Sequence, residues 1–254
     1  QALLAAGAEP AVPPISGLAP SAVLTSENVW DLEALPGRLA VLGGGPIGCE
    51  LAQAFARLGA EVTLVEGADR LLSKESPDAA AIVTRALRSD GVRVLTGQPV
   101  TTVAHHDRAG ELLLADGSSV TFDQLLVAVG RRPRTAELGC AAAGVDLAED
   151  GTVVVDRYLR SSNPRIWAAG DLSGHPQFTH TAGVHGSLAA SNAVLGLRRR
   201  VDPTVPRVTF TTPEVAAVGV GSANPPRGCA VHRVEHAHVD RAVAEGETAG
   251  FTDL

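Results

Sequence analysis

RLAVLGGGPIGCELAQAFARLGAEVTLVE, residues 38–66, is the most informative stretch of the chain. Its apolar run 39–42 is typical of a strand that is buried on both faces of a parallel sheet. Glycines follow at once, then apolar residues at helical spacing over 49–58, and then a second apolar run over 62–65 that ends at Glu66. The pattern predicts a strand, a glycine turn, a helix and a parallel strand, which together form one βαβ unit of about 28 residues.

The glycines of this turn have the spacing that dinucleotide-binding folds require. Gly43 permits the tight turn from strand to helix, Gly45 lets the backbone approach a pyrophosphate, and Gly48 lets the helix pack closely on the strand. The N-terminus of the helix offers free N–H groups and the positive end of its dipole to the phosphates. We therefore predict a dinucleotide site here, with a purely structural glycine turn as the alternative. The predicted cradle comprises Gly43, Gly44, Gly45, Pro46, Ile47 and Gly48.

Glu66 bears on which dinucleotide would bind. It stands at the end of the second predicted strand, where a carboxylate can accept both ribose hydroxyls of NAD. A carboxylate also repels the 2′-phosphate of NADP, and residues 67–69 offer no cation to offset it. Arg70 is the nearby cation able to reverse this preference. The sequence therefore favours NAD over NADP as the cofactor.

The composition excludes several classes of protein. The chain has 254 residues, a formal net charge of −7 and 45% hydrophobic residues, which is enough to bury real cores. Charges of both signs are scattered along it, so we expect no nucleic-acid or anionic-lipid partner. No stretch reaches the roughly 18 apolar residues of a membrane span, and no basic leader precedes an apolar run. We therefore expect a cytoplasmic protein without a membrane partner.

Neither the cysteines nor the histidines suggest a metal site. The three cysteines are far apart and show no CxxC or CxxxxC spacing, so the sequence predicts no redox pair within the chain. They are Cys49, Cys140 and Cys229. His232, His236 and His238 alternate along a predicted strand over 231–239. We interpret them as a polar strand face rather than as zinc ligands, because no turn closes them into a tetrahedron.

Helices and strands keep alternating after the first βαβ unit. We predict a helix over 77–89, a strand over 92–95, an antiparallel meander and a further buried strand over 124–129. The meander strands are predicted at 100–106, 111–115 and 119–122, with turns at 108–110 and 116–117. This pattern gives a doubly wound sheet with a β-meander inserted before its last strand. Upstream, residues 26–35 have the pattern of a short helix.

The two ends of the chain have a different texture. Residues 1–8 are typical of a strand that ends in a proline-rich bend. An apolar strand over 166–171 is broken by a glycine and closes with Asp171, and an alanine-rich helix is predicted over 181–197. Past Pro203 the segments become β-branched, which indicates a further domain.

Five segments together resemble the class I pyridine nucleotide-disulfide oxidoreductases. GGGPIGCE (43–50) is similar to the NAD fingerprint of that family, and LLVAVGRRP (125–133) is similar to its second glycine strand. LLAAGAEP (3–10) resembles the strand that returns to the flavin domain, and SSNPRIWAAGD (161–171) resembles the segment that re-enters it. VPRVTFTTPEVAAVG (205–219) is similar to the opening of the dimerisation domain. PQFTH and the later RAVAEGETAGF lean toward the mercuric reductase-like branch.

The resemblance implies an α/β fold with four segments. A Rossmann-like NAD(P)-binding domain with the inserted β-meander would span 37–152. The end of a first FAD-domain segment with its linker would occupy 1–36, and a second FAD-domain segment would occupy 153–203. The start of an α+β dimerisation domain would occupy 204–254, which implies a homodimer for the full-length protein.

The resemblance also implies roles for individual residues. Asp171 would hydrogen-bond the ribityl chain of FAD, with a simple turn cap as the alternative, and the helix after it would aim its N-terminus at the flavin. Glu50 would lie beside the nicotinamide, with a solvated helical glutamate as the alternative. Val100 and Gly130 would line the NAD pocket mainly by backbone. The residues implied for FAD are Ala6, Gly7, Gly170, Asp171 and Thr179, of which Ala6 stands where the family usually has threonine.

From this resemblance we expect a flavoprotein oxidoreductase. Hydride would pass from NAD(P)H to FAD, and electrons would then pass to a disulfide, to a metal ion as in mercuric reductase-like enzymes, or to another small acceptor. The redox cysteines of the family are absent, so we expect an internal fragment that binds NADH without retaining FAD. Its strands at 1–8 and 166–171 would then lack sheet neighbours. Two alternatives remain: a transhydrogenase- or quinone reductase-like flavin enzyme without redox cysteines, and a non-catalytic NAD-binding module.

Overall fold

The computed structural model describes residues 1–106 and 109–254, so the predicted turn at 108–110 lies partly outside the described residues. Its described part is wrong, because Ala109 and Gly110 already belong to a strand. The chain divides into two compact units, each made of two stretches. The first unit comprises Gln1–Glu9 and Arg131–Arg207, and the second unit comprises Pro10–Gly130 and Val208–Leu254.

Strands and α-helices alternate over residues 38–95, whereas elsewhere several strands follow one another. The α-helices are α1 (Pro46–Arg57), α2 (Pro77–Ser89), α3 (Thr179–Leu195) and α4 (Asp240–Glu245). The strands are β1 (Ala2–Leu4), β2 (Ala8–Pro10), β3 (Arg38–Leu42), β4 (Glu61–Val65), β5 (Arg93–Leu95), β6 (Val100–His106), β7 (Ala109–Leu114), β8 (Ser119–Phe122), β9 (Gln124–Val127), β10 (Arg131–Pro133), β11 (Ile166–Ala168), β12 (Arg207–Thr209), β13 (Val215–Ala217), β14 (Arg233–Glu235) and β15 (Phe251–Asp253).

A four-stranded parallel sheet forms the centre of the second unit, in the order β5-β4-β3-β9. Leu39 and Val41 of β3 belong to the apolar core that this sheet shares with α1 and α2. Ala40 and Leu42, which alternate with them, belong to the core shared with β6, β7 and β8. Burial on both faces explains the continuous apolar run of β3, and the predicted βαβ unit with its inserted antiparallel meander is confirmed.

The two helices that share a core with the parallel sheet, α1 and α2, both begin with a proline. α1 begins at Pro46, earlier than the predicted 49, because proline fits the first turn, where its missing N–H costs no bond. Gly59 follows α1 with a φ of +105°, which ends the helix. α2 has the predicted bounds, and the Ser76 hydroxyl caps it by accepting from the Ala79 N–H at 3.2 Å.

Residues 26–35 do not form the predicted helix. The structure has only a 3-10 turn at Val29–Asp31 there, after another at Pro20–Ala22. The Asn28 side chain accepts from the Thr25 N–H at 2.6 Å, and such local bonds compete with regular helix. This local hydrogen bonding overrides the helical pattern of the segment.

The predicted strand at 231–239 is wrong beyond Glu235. β14 pairs antiparallel with β15, and because β15 is short the ladder ends at the pair Glu235 and Phe251. His236–His238 turns as a 3-10 helix, so His232, His236 and His238 do not share a strand face. Among the described residues, no three histidine, cysteine or carboxylate side chains are grouped to hold a metal ion.

The first unit is built from short strands and α3. β1 pairs in parallel with β11, so the expectation that these two strands lack sheet neighbours is wrong: each is the partner of the other. β2 pairs with β10. α3 begins and ends two residues earlier than predicted, and it contributes Leu188 and Ala189 to a core with Trp167.

Residues 131–152 pack within the first unit, whereas the resemblance places them with the NAD-binding domain. The boundaries at 36, 152 and 203 stay predictions, because they divide the chain by function rather than by packing. In the described part of the chain, no helix combines the length and apolarity needed to cross a membrane.

Candidate functional site

The glycine turn between β3 and α1 combines crowding with one open position. Gly43 has a φ of +112°, and a Cβ there would lie 2.5 Å from the backbone oxygen of Ala128. A Cβ on Gly48 would lie 1.9 Å from the backbone oxygen of Gly43. Gly45 differs, because nothing lies within 4 Å of the place where its Cβ would be. Two glycines are thus required by packing, and the third leaves open space in front of the backbone.

The N-terminus of α1 faces this open space without a protein cap. Gly45 is the N-cap residue, and no side chain of the described residues caps the helix there. The first turn contains no acidic residue, while Pro46 is exposed and Ile47 half-buried. Free N–H groups and the helix dipole therefore stay available for an anion, which is the arrangement that binds phosphate groups.

Glu66 is held against the turn by two backbone bonds. Its Oε2 accepts from the Gly44 N–H at 2.6 Å, and its Oε1 accepts from the Ala68 N–H at 2.7 Å. The side chain is half-buried at the carboxyl end of β4. Each carboxylate oxygen can accept more than one hydrogen bond, so both keep capacity for a ribose hydroxyl. The backbone role of Glu66 was not visible in the sequence.

The Arg70 guanidinium forms hydrogen bonds within its own loop. Its Nη1 donates to the Leu72 carbonyl at 3.0 Å, and its Nη2 donates to the Ser73 carbonyl at 2.7 Å. Arg70, the cation that could offset the charge of Glu66, thus already donates hydrogen bonds to two carbonyl groups of the loop.

Gly130 and Val100 lie at the ends of other strands of the second unit. Gly130 follows β9, and the carboxyl ends of parallel strands meet at one edge of a sheet, so it shares an edge with Gly43 and Glu66. It is exposed, with a φ of +140°. Val100 begins β6 and packs partly into the core beside the meander.

Glu50 is not a freely solvated glutamate. It lies in the second turn of α1 and is half-buried. Its Oε1 accepts from the Phe210 N–H at 2.7 Å. This bond could not be predicted from the sequence, because 160 residues separate its partners.

The residues implied for a flavin lie in the first unit. Gly170 has a φ of +78°, and Asp171 opens a 3-10 turn directly after it. The Asp171 Oδ2 lies 3.5 Å from the Arg131 Nε, and Arg131 also donates through Nη2 to the Ala8 carbonyl. The structure thus joins β2, β10 and the end of the β11 segment around one carboxylate. Sequence reasoning missed Arg131.

The other implied flavin residues belong to the same unit. Ala6 is exposed, and the Gly7 carbonyl accepts from the Arg134 N–H at 3.0 Å. Thr179 is the exposed first residue of α3, and no side chain in the described ranges caps that helix. The start of α3 therefore has the same uncapped dipole end as α1.

Two histidines near the start of α3 also escaped sequence reasoning. The rings of His175 and His185 meet edge to face, with centroids 4.7 Å apart. Burial lowers the pKa of both rings, and for His185 the neighbouring His175 adds to this effect. The pair is therefore neutral at neutral pH.

The three cysteines occupy different environments. Cys49 and Cys140 are buried and Cys229 is exposed. Burial, together with the charges of Glu50 and Glu66, raises the pKa of Cys49 to about 12. Its Sγ donates to the Gly44 carbonyl at 3.4 Å, so this thiol supports the glycine turn rather than acting as a nucleophile.

Thiol labelling of the native chain is expected to show one fast cysteine. Cys229 should react with an aromatic disulfide reagent at once, whereas Cys49 and Cys140 should react only on unfolding, because burial shields their sulfur atoms from the reagent. Absorbance and peptide mapping by mass spectrometry measure this. Cys229→Ser should abolish the fast phase, and rapid labelling of Cys49 would contradict the assignment.

Comparison with known proteins agrees on one family. A family model described as pyridine nucleotide-disulphide oxidoreductase matches residues 1–186. The chain is 42% identical over 262 residues to a mercuric reductase of Streptomyces lividans, which covers 99% of this chain and 54% of that protein. It is 40% identical over 256 residues to a mercuric reductase of Acidithiobacillus ferrooxidans, which covers 99% of this chain and 46% of that protein.

Solved structures give the same picture. The HOCl-induced flavoprotein disulfide reductase RclA of Escherichia coli matches with a TM-score of 0.87 and 32% identity, covering 99% of this chain and 59% of that one. LpdA of Mycobacterium tuberculosis matches with a TM-score of 0.89 and 30% identity, covering 99% of this chain and 56% of that one. The chain thus spans about half the length of the relatives it matches.

Proposed function

The chain belongs to the pyridine nucleotide-disulphide oxidoreductase family. On this premise we propose that it functions in an NADH-dependent flavoprotein oxidoreductase. Its second unit binds NADH, and its first unit contributes to flavin binding. The observation that carries the proposal is the glycine turn, where an uncapped helix N-terminus faces open space beside a fixed carboxylate. When bound, the nicotinamide and the flavin supply the hydride and electron chemistry, while the protein binds and orients them.

Three features of the second unit support dinucleotide binding: the start of α1, the open space at Gly45 and the Glu66 carboxylate. The N–H groups at the start of α1 hold the pyrophosphate, and Gly45 leaves room for its close approach. Glu66 accepts the hydroxyls of the adenosine ribose with the lone pairs that its two backbone bonds leave free. Glu50 lies beside the nicotinamide, and Val100 and Gly130 line the NAD pocket mainly by backbone.

NADH is preferred over NADPH in this proposal. The Glu66 carboxylate, fixed at the turn, repels a 2′-phosphate. Arg70 does not offset that repulsion, because its guanidinium is bonded to the Leu72 and Ser73 carbonyls. Reorienting Arg70 toward a phosphate would cost both of these bonds.

Two features of the first unit support flavin binding: the Asp171 carboxylate beside Arg131 and the uncapped start of α3. The half-buried Asp171 carboxylate accepts a hydroxyl of the ribityl chain, and its ion pair with Arg131 orients it. The uncapped start of α3, at Thr179, favours negative charge on the flavin ring. Ala6 and Gly7 leave room for the cofactor through their small size, whereas Gly170 is small because its φ is +78° and a Cβ there would lie 3.2 Å from the Cβ of Ala182.

A metal ion is the proposed electron acceptor, with mercuric ion as the specific candidate. The support is the 42% identity to a mercuric reductase over nearly the whole chain. A disulfide is the second candidate, supported by the likeness to the flavoprotein disulfide reductase of Escherichia coli. A homodimer and a cytoplasmic location, both expected from the sequence, belong to the same proposal.

An acceptor assay tests this function. A flavin-loaded protein that contains this chain is supplied with NADH or NADPH, together with mercuric ion or a small disulfide. We expect faster oxidation of NADH than of NADPH, and faster turnover with mercuric ion than with the disulfide. If NADH is oxidised neither with mercuric ion nor with the disulfide, the proposal is overturned. Turnover with the disulfide but not with mercuric ion would select the disulfide as the acceptor.

A further inference from the structure

One face of α1 forms hydrogen bonds with a segment about 160 residues further along the chain, within the same unit. Glu50, Gln53 and Arg57 follow each other at i, i+3 and i+7, which places them on one side of the helix. Together they contact residues 210–212, directly after β12. We call these three side chains and that segment the α1 clamp.

Gln53 is the centre of the α1 clamp. It is 3% exposed, which is unusual for a glutamine. Its Oε1 accepts from the Thr212 N–H at 2.7 Å, and its Nε2 donates to the Thr212 carbonyl at 2.9 Å. A single side chain thus holds both polar groups of one backbone residue, which fixes the position of the segment as well as its orientation.

A second layer of bonds holds Gln53 itself. Its Nε2 also donates to the Asp90 Oδ2 at 2.7 Å, and the Arg57 Nε donates to the same oxygen at 2.9 Å. The Arg57 Nη1 donates to the Thr212 hydroxyl at 3.0 Å. Every donor and acceptor of the Gln53 amide is used, so its rotamer is determined.

The clamp ends on the carboxylate that the family resemblance places beside the nicotinamide. With Thr212 fixed, the Phe210 N–H is held in place, and it donates to the Glu50 Oε1 at 2.7 Å. Glu50 lies five residues into α1 from Gly45, or about 7.5 Å along the helix axis. Gln53 lies about 12 Å along that axis, too far to touch a phosphate at the helix start.

We propose that Gln53 is a positioning residue for the nicotinamide half of the dinucleotide, acting through the 210–212 segment on Glu50. This rests on the proposed function, in which the glycine turn binds NADH. The adenosine half and the pyrophosphate are held by the turn and by Glu66, which make no bond to the clamp. Loss of the clamp therefore acts on one half of the cofactor only.

Gln53→Leu, in the full 254-residue chain, tests this inference. The substitution leaves the Thr212 N–H and carbonyl without their partner, so the segment shifts and the Glu50 carboxylate loses its fixed orientation. Calorimetric titration compares NADH with ADP-ribose, which lacks the nicotinamide. The unmodified chain should bind NADH more tightly. The variant should lose about tenfold in affinity for NADH and stay within about twofold for ADP-ribose.

A spectroscopic readout and a matched variant separate positioning from stability. The fluorescence of bound NADH reports on the surroundings of the reduced nicotinamide, and it should change in Gln53→Leu. Val83→Ala, in the buried core of α2, destabilises the same unit without touching the clamp. It should leave the ratio of the two affinities unchanged.

The outcomes are distinguishable. Equal losses for both ligands in Gln53→Leu, or no loss for NADH, would overturn the positioning role while leaving the proposed function in place. Failure of the unmodified chain to bind either ligand would overturn both. If Gln53→Leu does not fold, Gln53→Asn keeps a neutral amide that is one methylene too short to hold both Thr212 groups, and it should show the same selective loss of NADH.

Discussion

Gly45→Ala is expected to fold like the unmodified chain and to lose NADH affinity by about 10- to 100-fold. Gly45 has a φ of −75°, which alanine adopts freely, and its missing Cβ faces open space. The added methyl group would instead occupy the space through which a pyrophosphate approaches the helix N-terminus. Its expected cost is the loss of charge-assisted bonds from backbone N–H groups to phosphate, which sets the size of the effect.

Gly48→Ala is the matched variant, three residues away in the same turn. Helix propensity alone would stabilise α1 by about 0.8–1 kcal/mol on this change. The new Cβ, however, would lie 1.9 Å from the Gly43 carbonyl oxygen, which is backbone and cannot rotate away. Overpacking of this kind costs about 1–3 kcal/mol or more, so the clash wins over propensity. Both stability and NADH binding should fall.

Denaturant unfolding and calorimetric titration, applied to both variants, separate the two roles. Gly45→Ala should keep the unfolding midpoint and lose the ligand, whereas Gly48→Ala should lose both. Tight NADH binding by Gly45→Ala would show that the open space at the turn is not where the pyrophosphate lies. A stable Gly48→Ala would instead show that α1 can move away from β3.

The parts of the fold that follow from local rules were predictable. The run at 39–42 needed only the observation that every residue is apolar, and the bounds of α2 follow from Ser76 and Pro77 at its start. The failures have local causes too small to see in a periodic pattern. Asn28 bonds backward to Thr25 and stops a helix, and the short β15 ends the pairing of β14.

The candidate site divides in the same way. The spacing of Gly43, Gly45 and Gly48 predicts their positions in the turn, because each role depends on backbone within a few residues. Gln53 and Arg131 were missed, because their roles depend on partners distant in sequence: Thr212 is 159 residues from Gln53. A buried glutamine on an amphipathic helix carries no sequence signal that distinguishes it from a solvated one.

Glu66→Ala should weaken NADH by about 10- to 100-fold and NADPH by less. Part of the loss is common to both ligands, because the substitution also removes the acceptors of the Gly44 and Ala68 N–H groups and loosens the turn. In addition, NADH loses the acceptor of both hydroxyls of its adenosine ribose, whereas NADPH has only the 3′-hydroxyl there to lose. NADPH is relieved of the charge that repels its 2′-phosphate, although Arg70 stays bonded in its loop and adds no new attraction.

The ratio of the two affinities therefore tests the ribose assignment better than either affinity alone. Glu66→Gln keeps the shape of the side chain, removes its charge, and loses one of the two bonds to the Gly44 and Ala68 N–H groups, whereas Glu66→Ala loses both. It should therefore shift the ratio toward NADPH with less disturbance of the turn. Asp69→Ala removes an exposed carboxylate three residues away, and it should leave the ratio unchanged if position matters more than net charge. Equal losses of NADH and NADPH in both Glu66 variants would mean that this carboxylate only supports the backbone of the turn.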